Sequence, residues 1–154
     1  MKRTTALIIG SALAFIGGAY VTDRQNVDCV TVYVDYGPLG SGTKSTACIP
    51  ADGKINAIDL LSNAGIKLEG TQKYGNAVVC RVNELPDSSV EQCLDMPPAE
   101  AYWAVLVKDY EIIPFPFDTA GEWGWAQTGI NEIYLNPGDS IGLVFANEGE
   151  VKFP

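Results

Sequence analysis

Apolar and polar residues alternate along several short stretches of the chain, which is the pattern of β-strands with one face on a core. In residues 29–35, Val30, Val32 and Val34 share one face, while polar residues occupy most of the other. Similar patterns predict further strands at residues 44–49, 77–83, 101–108 and 140–146, and a short strand at residues 131–135. Glycine and proline separate these stretches, as is typical of turns.

Residues 54–64 form the one stretch with convincing helical spacing. Ile55, Ile58 and Leu61 recur at intervals of three, with Leu60 alongside. Asp52 is the predicted N-cap, and Gly65 is the predicted glycine just after the helix. Because so short a helix is marginal alone, it must pack against a sheet. The element order β-β-α-β-β-β therefore predicts an α+β domain.

Four cysteines flank two predicted turns. Cys29 and Cys48 are equidistant from a Pro-Leu dipeptide, and Cys80 and Cys93 are equidistant from a Pro-Asp dipeptide. Four cysteines allow three pairings, but opposed residues of a hairpin have the short Cα separation that a disulfide needs. We therefore predict two hairpin disulfides, Cys29–Cys48 and Cys80–Cys93.

Residues 1–22 have the pattern of a targeting segment. Lys2 and Arg3 precede the uncharged residues 4–21, a stretch of 18 that contains the small residues Gly17, Gly18 and Ala19 near its end. The pattern fits a signal peptide, and its length also fits an uncleaved membrane anchor, so both interpretations stay open. In either case residues 23–28 are a linker, and residues 29–154 are an extracytoplasmic domain, where disulfides persist.

The charge balance excludes some partners. The chain has 10 Lys and Arg against 19 Asp and Glu, for a net charge of −9. Such a surface repels nucleic acid and anionic lipid head groups. The acidic excess therefore indicates solubility or a basic partner.

Common catalytic groups are missing from the sequence. There is no histidine, which removes the usual general base and the usual zinc ligand. The cysteines are assigned to disulfides, and no carboxylate pair stands out within the acidic turn at residues 84–95. We predict no enzymatic activity, no metal and no cofactor.

The aromatic residues are the candidates for binding. Residues 110–128 are aromatic and broken by proline and glycine, so we predict an ordered loop. An exposed aromatic loop favours a binding surface, whereas a loop that folds back would cover the sheet; Trp103 is expected in the core. The candidate partner-binding or ligand-binding residues are Trp123, Trp125, Tyr102, Phe115 and Phe117.

Several stretches resemble a known family in their order and spacing, namely AIDLLSNAGI, VCRVNELP, AYW and LNPGDSIGLVF. Over residues 28–146 the chain resembles the transcobalamin C-terminal-like β-grasp domain, most closely its small secreted or envelope actinobacterial members of unassigned function. The resemblance implies a β-grasp-like mixed sheet packed on one helix. A departure follows Trp103, where the chain has Ala104, Val105 and Leu106 in place of further aromatic residues.

These patterns predict a non-catalytic extracytoplasmic interaction module, secreted or anchored to the outer face of the cytoplasmic membrane. It would be an accessory or docking domain on a cell-envelope protein complex. The alternative, implied by the resemblance to transcobalamin, is a small-molecule binding protein with a corrinoid-like ligand. A deep aromatic-walled pocket would favour the ligand, and an exposed aromatic patch would favour a protein partner.

Overall fold

The structure, a computed structural model, describes residues 28–112, 117–118 and 121–154. In chain order the elements are β1 (Cys29–Asp35), β2 (Lys44–Pro50), β3 (Ile55–Asn56), helix α1 (Ala57–Asn63), β4 (Leu68–Thr71), β5 (Gly75–Val82), β6 (Ala101–Lys108), β7 (Glu111–Ile112), β8 (Phe117–Asp118), β9 (Trp123–Trp125), β10 (Tyr134–Leu135) and β11 (Ser140–Asn147). Short 3-10 turns lie at Gly37–Gly40 and Ile130–Glu132.

A five-stranded mixed sheet with the order β2-β1-β11-β6-β9 forms the centre of the fold. Strands β1 and β11 run parallel, and the other neighbours in this sheet are antiparallel. Strand β5 pairs with β4, and β10 pairs with β3, outside the central sheet. The predicted α+β class, with a mixed sheet and one helix among the described residues, is confirmed.

The hydrophobic core lies between the inner face of this sheet and α1. Val30, Val32 and Val34 are buried there, as their alternation predicts. Leu60 and Leu61 of the helix are fully buried in the same cluster. The helix therefore depends on the sheet for stability, as its length requires.

Helix α1 begins later than the sequence predicts. It starts at Ala57, and the side-chain oxygen of Asn56 accepts the Ile58 N–H at 2.9 Å, so Asn56 and not Asp52 is the N-cap. The reason is that Asn56 and the residue before it adopt extended backbone to pair with β10. The end is as predicted, because Gly65 has a φ of +75°.

Both predicted disulfides are confirmed, but the hairpin geometry behind them is corrected. Cys29 lies opposite Pro50 and Cys48 lies opposite Thr31, so the first disulfide joins diagonal neighbours with a Cα separation of 5.6 Å. The second joins Cys80 and Cys93 across 5.7 Å. Since β5 pairs with β4, the second disulfide closes an irregular loop and not a hairpin.

Part of the predicted loop at residues 110–128 is a strand. Trp123–Trp125 forms β9, an edge strand in which Trp125 lies opposite Leu106 and Trp123 lies opposite Lys108. Pairing with β6 brings aromatic residues, which favour strands, into the sheet. The strand predicted at residues 131–135 is likewise shorter, because a 3-10 turn occupies its first part.

The signal or anchor segment predicted at residues 1–22 lies outside the described residues. Within the part of the chain that the structure describes, no helix is long and apolar enough to cross a membrane.

Candidate binding surface

The central strands are buried on both faces. On the outer face, opposite the helix, Ala104 and Leu106 of β6 and Val144 and Ala146 of β11 are almost inaccessible to solvent. Their small or aliphatic side chains give this face a second apolar surface. Aromatic residues of the chain cover part of it.

Trp123 is one of these covering residues. Its ring lies so close to Gly142 that a Cβ atom there would come within 3.0 Å of Trp123 Cζ3. Its ring centroid is 6.1 Å from that of Tyr33. Trp123 is therefore half-buried, and it packs on the sheet.

Trp125 is exposed to a greater extent. It lies two residues further along β9 and keeps 41% of its surface accessible. Its ring contacts Phe153 edge-on, with centroids 6.0 Å apart. The chain reverses after β11, where Asn147 and Glu150 form a bridge, and this reversal precedes the segment that carries Phe153.

Beyond Trp125, strand β9 ends, and the edge of β6 borders a groove of about 620 Å³. We call this the β6 groove. Its lining residues are Ala77, Val78, Val79, Met96, Pro97, Ala99, Tyr102, Trp103, Ala104, Val105, Trp125, Ala126, Thr128, Ile130 and Gly149. The lining contains no charged residue and is mostly apolar.

Three segments wall the groove. The first wall is the segment that follows β9, which is held beside β6 because the Ala126 N–H donates to the Val105 C=O at 3.0 Å. The start of β5 forms the second wall. Gly129 packs closely against this wall, since a Cβ atom on Gly129 would lie 2.8 Å from the Ala77 Cβ. The segment that follows Cys93 brings Met96 to the third wall.

The position of Met96 is fixed by polar contacts in the acidic loop. Lys73 forms an ion pair with Asp95 at 2.6 Å, and the Met96 N–H donates to Asp95 at 2.8 Å. The hydrogen bond from Lys73, followed by the weaker effect of the hydrogen bond from the Met96 N–H, lowers the pKa of Asp95 below its usual value. Earlier in the same loop, the Glu91 C=O accepts a hydrogen bond from the Arg81 guanidinium of β5. The loop is thereby tied to the β4–β5 pair.

Trp103 belongs to the core, as predicted, although its backbone borders the groove. Its ring is 4% exposed and meets Tyr36 and Phe145 edge-on, with centroids 5.5 and 5.4 Å away. Its indole N–H donates to the Leu85 C=O at 3.0 Å. The side chain is therefore unavailable to a ligand.

The structure brings two of the five candidate residues together. Tyr102 and Trp125 line the β6 groove, whereas Trp123 packs on the sheet beside it. Phe115 lies outside the described residues, and Phe117 is described only through its backbone in β8.

Met96 was missed in the sequence. It is 60% exposed, and Val90 and Leu94 of the same loop are exposed as well. Three apolar residues within and directly after the acidic turn are the signal that could have identified this loop as a surface for contact.

A second cleft of about 520 Å³, lined in part by charged residues, lies near the end of β1. Burial raises the pKa of Asp35, but hydrogen bonds from Lys44 and the Gly37 N–H outweigh it and lower the pKa overall. Lys44 lies 2.8 Å from this carboxylate. Asp35 is therefore an ionised, paired residue that supports the turn after β1.

Within the described ranges, no group of three or more His, Cys, Asp or Glu side chains is placed to hold a metal ion. Comparisons with protein-family models, curated proteins and solved structures found no match to this chain.

Proposed function

We propose that the chain is a non-catalytic extracytoplasmic interaction module that docks on a protein complex of the cell envelope through the β6 groove. The observation that carries this proposal is the arrangement of Trp125, Tyr102 and Met96 around an uncharged groove. Trp125 and Met96 leave apolar surface in contact with water.

The residue types around the groove suit a protein interface. Tryptophan, tyrosine and methionine are enriched at interfaces, and charged residues are depleted at their centres. Trp125 stands on a strand, and Met96 follows a disulfide-closed loop. Little backbone conformational entropy is lost when residues on such anchored segments bind, which favours their use as contact residues.

The disulfides support the proposed compartment. Two disulfides are consistent with an oxidising environment outside the cytoplasm. We propose that residues 1–22 direct the domain there, as a signal peptide or as an anchor. The mixed sheet packed on one helix supports the proposed relationship to the β-grasp family.

The proposal is tested by replacing Tyr102 and Trp125 together with alanine. Partner capture from native envelope extracts, followed by quantitative mass spectrometry, is expected to fall by about a hundredfold or more, because tryptophan and tyrosine anchors often contribute about 2 kcal/mol each. Both side chains keep contact with solvent, so the melting temperature should change little.

The matched control is Tyr134→Ala. Tyr134 is 48% exposed on β10 and does not line the groove, so partner capture should be unchanged. If the double variant stays folded and captures the partner at the level of the unmodified chain, the groove is not the docking surface.

A small-molecule binder is the second candidate, because the groove volume lies in the range of ligand pockets, about 300–1,000 Å³. Titration with cyanocobalamin, followed by absorbance, provides the test. Saturable binding that Trp125→Ala abolishes would support this candidate. Absence of binding at millimolar corrinoid would exclude a corrinoid ligand.

A further inference from the structure

The edge of β6 has backbone groups that face the groove. The Val105 C=O accepts from Ala126, on the side of β6 away from β11. Residues two apart along a strand direct their backbone groups to the same side. The N–H and C=O of Trp103 therefore point into the groove, and no hydrogen bond from another described residue reaches either group.

The space beside these groups is open. Strand β9 covers β6 only from Leu106 to Lys108. Nearby, the Val105 C=O accepts from Ala126 and the Ala101 N–H donates to the Pro98 C=O, so among the described residues Trp103 is the one whose groups on this side lack a partner. The β6 groove lies beside Trp103. An unpaired edge bordered by an apolar groove is a template for strand addition.

We propose that the β6 groove binds an extended segment of the partner polypeptide, which pairs with β6 at Trp103. This inference rests on the proposed function and specifies its partner and binding mode. The segment would exchange backbone hydrogen bonds with Trp103. Its side chains would alternate between the Tyr102 and Trp125 side and the side formed by the start of β5.

The charges around the groove select a basic segment. At the end nearest Ala101, the Gly149 N–H donates to the Glu100 C=O at 3.2 Å, which places Glu100 beside Glu148 and Glu150. All three carboxylates are exposed, and none takes part in an ion pair with a described side chain. Lys152 is the cation of this segment, and with Lys44 it lines the second cleft, which also contains Glu148 and Glu150. We therefore expect apolar residues at alternate positions, flanked by Lys or Arg.

The test begins with a random library of linear seven-residue peptides, selected on the full chain with both disulfides formed. Enriched peptides are then synthesised with single N-methyl groups at each position. N-methylation at the one position whose N–H would donate to the Trp103 C=O should weaken binding about threefold to tenfold, because the methyl group removes that donor. Methylation at the other positions should have little effect, and exchange of the Trp103 amide proton, measured by NMR, should slow on binding.

Charge reversal provides the second arm. Glu100→Lys with Glu150→Lys should weaken binding of the basic peptides at least tenfold at low salt. The matched control, Asp52→Lys with Glu84→Lys, makes the same change in net charge and should have a much smaller effect. Glu100 and Glu150 each adjoin a lining residue in the chain, whereas Asp52 and Glu84 do not.

The outcomes separate this inference from the proposed function. One outcome would overturn strand addition and leave docking at the groove intact. In that outcome, binding of the peptides depends on Tyr102 and Trp125, but N-methylation has no effect at any position and the Trp103 amide proton is not protected from exchange. Recovery of no peptide, while the Tyr102 and Trp125 double variant loses its envelope partner, would likewise overturn the extended segment alone. Recovery of no peptide, with partner capture unchanged in the double variant, would overturn both.

Discussion

Replacing Trp103 with alanine is expected to lower the free energy of unfolding by about 3–5 kcal/mol. The indole is almost fully buried between Tyr36 and Phe145, so its removal leaves a cavity that the sheet cannot close. The Leu85 C=O also loses its hydrogen bond from the indole N–H. Urea denaturation without reductant, followed by circular dichroism, measures the loss.

Trp125→Ala is the matched control for this prediction. Both residues are tryptophans on strands of the central sheet, but Trp125 is exposed, and its removal should cost within about 1 kcal/mol. Equal losses for the two variants would mean that Trp125 also belongs to the core. The contrast between them separates the residue that stabilises the groove from the residue proposed to bind at it.

Leu61→Ala is expected to destabilise the protein by about 2–5 kcal/mol. Leu61 is fully buried between α1 and the sheet, and a helix of two turns has little stability of its own. Thermal and urea denaturation give the free energy difference. A large loss would show that this packing is required for the helix.

The neighbouring residue supplies the control. Ser62 is exposed on the same helix, so Ser62→Ala should change the free energy of unfolding by less than about 0.5 kcal/mol. Its backbone C=O accepts the Gly65 N–H, and the substitution leaves that bond in place. Similar losses at both positions would contradict the helix face seen in the structure.

Local pattern predicted the longer strands β1, β2, β5, β6 and β11, because alternating side chains indicate a strand that faces a core. It did not predict the shorter strands β3, β4, β7, β8 and β9. The bounds of β6 agree with the sequence prediction at both ends. The start of α1 could not be predicted in this way, since it depends on the pairing of β3 with β10, far along the chain. The pairing of Cys29 with Cys48 was correct although their register is diagonal, because diagonal neighbours also come close enough for a disulfide.

The candidate site likewise contains residues that local sequence pattern identified and residues that it did not. Aromatic enrichment identified Tyr102 and Trp125, which line the groove. The packing of Trp123 depends on β9 pairing with β6 and on the space above Gly142, neither of which local pattern shows. Met96 reaches the groove through the contacts of the disulfide-closed loop, and these too are long-range.

Site-specific photo-crosslinking in the native cell envelope tests the central claim most directly, that the β6 groove is the docking surface. A benzophenone amino acid would replace Met96, with the same group at Tyr134 as the control, since both positions are exposed and only Met96 lines the groove. We expect a single prominent crosslinked partner from position 96 and none from position 134. Crosslinking from position 134 with none from position 96, in a folded chain, would contradict the claim.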